Sequence, residues 1–92
     1  MTFEDQPTSE VVITKLQYVL ENKFTREEFY FWAYKWVQNF DKRDQLTKEE
    51  DKLHDYLIEL LAIDLEIKKD VYFHPNDDIK DWIQKINDGE SF

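Results

Sequence analysis

The chain has 92 residues and no cysteine, and its 21 acidic against 12 basic side chains give a formal charge of −9. One domain of this length buries little more than roughly 60% of its unfolded surface, yet with seven Phe, five Tyr and three Trp its small core can be stable without disulfides or a metal. A field of this sign repels nucleic acid and anionic membrane, no apolar run reaches the roughly 20 residues of a membrane span, and Met1–Asp5 lacks the basic and apolar segments of a secretion signal. A cytoplasmic protein with neither a nucleic-acid nor a membrane partner is therefore expected.

Taken in order, residues 1 to 7 are polar and expected to be extended or frayed, with Phe3 able to tuck against the body. Thr8 or Ser9 caps a first helix running to about Asn22, with Val12, Leu16, Val19 and Leu20 on one face. Lys23 leaves a short joint, so the next helix must turn sharply and pack beside the first. Thr25 and Glu28 form a capping box, and Phe24 with Phe29 forms the matching hydrophobic staple. From there Phe29, Trp32, Ala33, Trp36, Val37 and Phe40 recur at steps of three and four, marking 26–40 as the central core helix.

The polar run Asp41–Gln45 is a solvated loop. Thr47 and Glu50 repeat the capping box and open a helix to about Ala62 that buries Leu53, Tyr56, Leu57, Leu60 and Leu61. Residues 63–76 alternate in polarity around Ile63–Ile67 and Val71–Phe73; two short strands alone are marginal, so irregular structure pressed onto the helices is expected. Asn76 then caps a last helix, 77–87, with Asp77 and Asp78 in its first turn, Ile79, Trp82, Ile83 and Ile86 inward, and Gly89 in the left-handed position past its end. The fold class is all-α: a compact four-helix domain with an irregular, at most short-stranded, segment between helices 3 and 4.

Catalysis is disfavoured, because a single glycine leaves no phosphate-cradling loop, there is no cysteine, and both serines lie near the chain ends. No cofactor or metal is expected: Asp51 and His54 have the i, i+3 spacing of helical-bundle metal sites, but no second copy of the motif exists. Lys42-Arg43 and Lys68-Lys69 are each interrupted by acids, so no basic stripe forms. Asp51, Asp55 and Glu59 instead follow at i, i+4 and i+8 as an acidic ridge, whose ordinary role is a solvated helix face.

Arg26-Glu27-Glu28, Trp32-Ala33, Trp36, Leu60–Leu65, Tyr72, His74, Asp78-Ile79 and Trp82-Ile83 together resemble a group of short acidic bacterial proteins without assigned chemistry, some of them antidotes encoded beside toxins. A looser likeness is to the immunity proteins that neutralise colicin-type nucleases. Phe24–Phe29 resembles their first helix start, and Asp70–Pro75 resembles their interface segment, although only one tyrosine of the expected pair, Tyr72, is present. These likenesses imply a binding protein that inhibits a basic, toxin-like partner. The expected contact residues are Asp51, Asp55, Glu59, Asp64, Asp70, Tyr72, His74, Asp77 and Asp78. The alternative is an interaction module that self-associates through Tyr30, Phe31 and Tyr34.

Overall fold

A computed structural model describes residues 6–90 and Phe92. Four helices make up most of the chain: α1 (Ser9–Leu20), α2 (Arg26–Asp41), α3 (Lys48–Leu60) and α4 (Asn76–Asn87). Between α3 and α4 come a 3₁₀ turn (Leu61–Asp64) and two strands, β1 (Glu66–Lys68) and β2 (Val71–Tyr72), paired antiparallel. The expected extent of residues 1–5, including Phe3, lies outside the described residues; Pro7 is buried.

The helix starts follow their caps. Thr8 accepts from the Val11 amide at 3.1 Å, and both capping boxes close reciprocally at Thr25–Glu28 and Thr47–Glu50. The ends follow left-handed residues. Asn22, at φ 60°, and Gly89, at φ 72°, each terminate a helix with paired bonds: Asn22 to Val19 and Lys23 to Tyr18, then Gly89 to Ile86 and Glu90 to Lys85. Thus α1 stops at Leu20 rather than continuing through Asn22.

Two other boundaries move for local reasons. After Leu60 the chain tightens into the 3₁₀ turn, which drops Ile63 into the core and leaves Leu61 half-buried. Pro75 occupies the cap position of α4 with no side-chain cap, while Asn76, expected as the cap, begins the helix and is engaged elsewhere.

α2 packs chiefly on α3 and the 3₁₀ turn; α1 packs chiefly on α4 and less on α2, the neighbour its short joint suggested. Phe29, Trp32, Ala33, Val37 and Phe40 are buried, with Trp36 half-buried at the edge of the stripe. Phe29 and Trp32 meet edge to face, their centroids 5.6 Å apart. Each such ring contributes about 1.5–3 kcal/mol through burial. Lys15 is also fully buried, its ammonium 4.9 Å from both the Phe24 and Trp32 ring centres, so that its stem packs as an apolar side chain and its charge lies against aromatic faces.

Candidate functional site

The segment expected to be irregular and pressed onto the helices is a β-hairpin with an exposed outer face. Glu66 pairs with Tyr72 and Lys68 with Val71, with an irregular step at Ile67; one position outward, the Phe73 amide donates to the Leu65 carbonyl at 2.8 Å. At the turn Asp70 adopts φ 63°, and its amide donates to the Glu66 carboxylate at 3.2 Å. An acid tolerates this backbone better than a branched residue would.

Arg26, the first residue of α2, fastens the base of this hairpin. Its guanidinium donates to the Ile63 carbonyl at 2.9 Å, the His74 carbonyl at 2.6 Å and Asn76 Oδ1 at 3.1 Å, and lies 4.2 Å from the centre of the Tyr72 ring. One planar fork thereby joins α2, the 3₁₀ turn, the hairpin and the start of α4. Burial lowers the pKa of this guanidinium, opposed by Tyr72 and Asp64, yet an arginine remains charged. Beside it, Val19, Asn22, Phe24, Thr25, Tyr72 and Asn76 complete a cleft of about 400 Å³.

Because successive strand residues point to opposite faces, turning Tyr72 toward Arg26 turns its neighbours outward. Leu65 and Phe73, one step from the Glu66–Tyr72 pair, are 53% and 57% exposed; Ile67 and Val71 are 65% and 40% exposed. Four of the chain's exposed large apolar side chains are therefore on one nine-residue hairpin. Phe73 meets the His74 ring in a T-shape, at 4.9 Å between ring centres.

The same hairpin carries Lys68 and Lys69. Most cations are engaged: Lys23 with Glu21, Arg43 with Glu50 and Asn39, Lys52 with the Gly89 carbonyl, Lys80 with Asp77 and Lys85 with Asp81. Among the described residues Lys42, Lys48, Lys68 and Lys69 make no ion pair, and of these only Lys68 and Lys69 are adjacent. Residues 65–73 hold these two lysines against Glu66 and Asp70, so the hairpin is neutral and the charge of −9 resides on the rest of the chain.

The expected contact residues fall into two groups. Asp51, Asp55 and Glu59 lie on the exposed side of α3, where Asp55 and Glu59 border a cleft of about 270 Å³ with Lys52, Tyr56, Ile58 and Phe92. Tyr72, His74 and Asp78 gather instead around Arg26 and Trp82. His74 is half-buried, its Nδ1 2.8 Å from the Asp78 carboxylate and its ring 4.9 Å from that of Trp82. Asp77 is exposed beside Lys80, and Asp70 forms the hairpin turn. Asp64 is half-buried; burial, with Glu27 and Glu66 nearby, holds its carboxyl above the ordinary range against the opposing pull of Arg26. The two regions are linked through rings: Phe92 lies 5.1 Å from Tyr56 of α3 and 6.2 Å from Trp82, between ring centres.

Sequence reasoning passed over Arg26, Lys68 and Lys69 as functional residues. The signal for the lysines was present: two alternating runs flank Lys68-Lys69-Asp70, which is a hairpin pattern with its cations at the turn. Nothing in the sequence said that the apolar alternates would face outward. No group of His, Cys, Asp and Glu able to hold a metal occurs among the described residues, and none of their helices is long and apolar enough to cross a membrane.

Comparison with known proteins bears on this surface. The family model described as "YxzC DNA-binding protein" matches residues 3–86. "Uncharacterized protein YxzC" of Bacillus subtilis (strain 168) is 37% identical over 76 residues, which are 83% of this chain and 59% of that protein. The chain thus spans less than two thirds of the length of this relative. No solved structure matches. The family description overturns the assignment to toxin antidotes or colicin-nuclease immunity proteins, the inhibition of a basic protein partner and the exclusion of nucleic acid, and it gives no support to the self-associating alternative. The exclusion asked for a continuous basic stripe and discounted Lys68-Lys69 because acids flank them, whereas these two lysines are adjacent, without an ion pair, on a hairpin of zero net charge. With a match extending over nearly its whole length, the chain belongs to the YxzC family.

Proposed function

We propose that this chain is a small cytoplasmic DNA-binding protein without enzymatic activity, and that it touches DNA with the β1–β2 hairpin. The observation that carries this reading is the concentration, on one exposed and locally neutral element, of two adjacent unpaired lysines and four outward apolar side chains. Lys68 and Lys69 supply phosphate contacts, and a two-stranded ribbon is narrow enough to approach bases. α2 also exposes Phe31 and Tyr34 beside Tyr30, but no pair of adjacent unpaired lysines accompanies them, and the acidic charge outside the hairpin turns DNA away from the rest of the molecule. Arg26 acts as a positioning residue, since its bonds to the His74 and Ile63 carbonyls hold the ribbon on the helical body. With one glycine and no cysteine, the chain offers neither a phosphate loop nor a thiol for chemistry.

The test compares two double charge reversals of equal size in a gel-shift titration with mixed-sequence DNA. Lys68→Glu/Lys69→Glu should abolish the shift, whereas Lys80→Glu/Lys85→Glu on α4 should weaken it only slightly. Equal losses from both variants would show that net charge alone is being read, and would remove the hairpin from the interface.

A further inference from the structure

We propose that the hairpin selects unpaired DNA, seating exposed bases on its outward apolar face while Lys68 and Lys69 hold the backbone. This inference rests on the DNA-binding reading above and adds the form of DNA recognised. Duplex DNA presents about one charge per 1.7 Å of axis and keeps its base faces inside the stack. A neutral hairpin with two free lysines, on a body of −9, has little electrostatic attraction to offset that repulsion. What the hairpin does offer is exposed apolar area, which a duplex cannot use without being unstacked.

An unpaired strand has a lower charge density and presents its bases. Phe73 is more than half exposed and meets His74 in a single T-shaped contact, so much of the ring is open to a base. Leu65 shares its side of the ribbon through the Phe73–Leu65 backbone bond, and Ile67 and Val71 extend the apolar surface toward the turn. Lys68 and Lys69 stand at that turn, and the Glu66 carboxylate between them and the base of the hairpin already accepts from the Asp70 amide. Stacking of this kind is tolerant of sequence, because every base has a π face.

The experiment is fluorescence anisotropy of the full chain with a labelled 15-nucleotide oligothymidine and with a 15-base-pair mixed duplex, at 0.15 M salt. Oligothymidine should bind about tenfold more tightly or better. Phe73→Ala should lose about tenfold of that affinity and little of any duplex affinity, while Phe73→Tyr, which keeps the ring, should retain it. Circular dichroism of both variants checks folding, which an exposed side chain should leave intact. Duplex binding as tight as or tighter than oligothymidine would overturn the selection for unpaired DNA while leaving the DNA-binding reading in place. Failure to bind either form would overturn both. A concentration-dependent dimer by sedimentation, lost in Phe73→Ala and unaffected by DNA, would assign the apolar face to a second copy of the chain and overturn the inference.

Discussion

Arg26→Ala should be among the most damaging single changes outside the apolar core. Truncation leaves the Ile63 and His74 carbonyls and the Asn76 side chain without their shared donor and removes the charge above Tyr72. A buried acceptor left unpaired costs about 1–3 kcal/mol, and a cation–π contact at a partly exposed site contributes about 0.5–1 kcal/mol. Water reaches part of this half-buried site and replaces some of the lost bonds, so a net loss of about 3 kcal/mol is expected. For a domain of this size that lowers Tm by about 12–24 °C. Arg26→Lys keeps the charge but not the fork, and should recover no more than about half. Thermal and urea unfolding followed by circular dichroism would measure the loss. Hydrogen exchange at the Phe73 amide would report whether the hairpin loosens with it. A loss below about 1 kcal/mol, or unchanged protection at Phe73 in a clearly destabilised variant, would refute the assignment of Arg26 as the fastening of the hairpin.

Two carboxylates should give opposite pH signatures. The Thr47 amide, helped by Arg43, holds Glu50 below its ordinary 4.5; its stabilising contribution is present above that value and is lost as pH falls through the folded pKa. Glu50→Gln should therefore flatten the acid side of a urea-stability profile, and an unchanged slope below pH 4.5 would remove Glu50 as a cause of acid unfolding. Asp64 is held above its ordinary 3.8, so its contribution is present below that value and is lost as pH rises through the folded pKa. Asp64→Asn should consequently gain stability at pH 7 relative to pH 3, and an equal effect at both would show that its ionisation carries no penalty. Gly89→Ala should cost about 1 kcal/mol in urea unfolding, because φ 72° is strained for an L side chain and the added Cβ would meet Lys52 Nζ at 3.3 Å. A neutral result would mean that the end of α4 relaxes without cost.

The helices were legible because their signals are local. Thr25 with Glu28, Thr47 with Glu50 and the Phe29-to-Phe40 stripe each lie within a few turns of chain, and Gly89 marks a stop by its own backbone preference. Lys15 was illegible for the opposite reason. On α1 it sits beside Leu16 at a core position, and its contacts with the Phe24 and Trp32 rings, brought over by another part of the fold, are invisible to a local reading. The hairpin was half legible. Alternation from Leu65 to Ile67 and from Val71 to Phe73 is a strand pattern, but a period of two does not say which alternate faces the body. Arg26 decides that by taking Tyr72, and it reaches its acceptors across 37 to 50 residues of sequence, so no local window contains the choice. The same nonlocality explains the charge: composition yields −9, while the neutrality of the hairpin and the engagement of most other cations depend on which residues meet.

The proposed separation of a neutral contact element from an acidic body has a consequence for salt dependence. A protein that holds DNA through cations alone binds more tightly at every step down in salt, since each phosphate contact releases counterions. Here two opposed effects act over different distances. Lys68 and Lys69 would touch phosphates directly, whereas the acidic helices repel them through solvent. At 0.15 M salt the screening length is about 8 Å, shorter than the 24 Å of the molecule's smallest extent, so much of the acidic body is screened from a strand on the hairpin. At 0.01 M it is about 30 Å, and nearly the whole body acts on that strand. Affinity for DNA should therefore rise only weakly below 0.15 M and then fall toward 0.01 M, with a maximum between. The Asp55→Asn/Glu59→Asn variant, which removes two charges from α3, should shift that maximum to lower salt. Anisotropy titrations across the series measure it. Affinity that climbs steadily to 0.01 M, with a slope steeper than the −1.8 or so that two lysines allow on a duplex, would mean that more of the chain's cations reach the phosphates than the hairpin supplies.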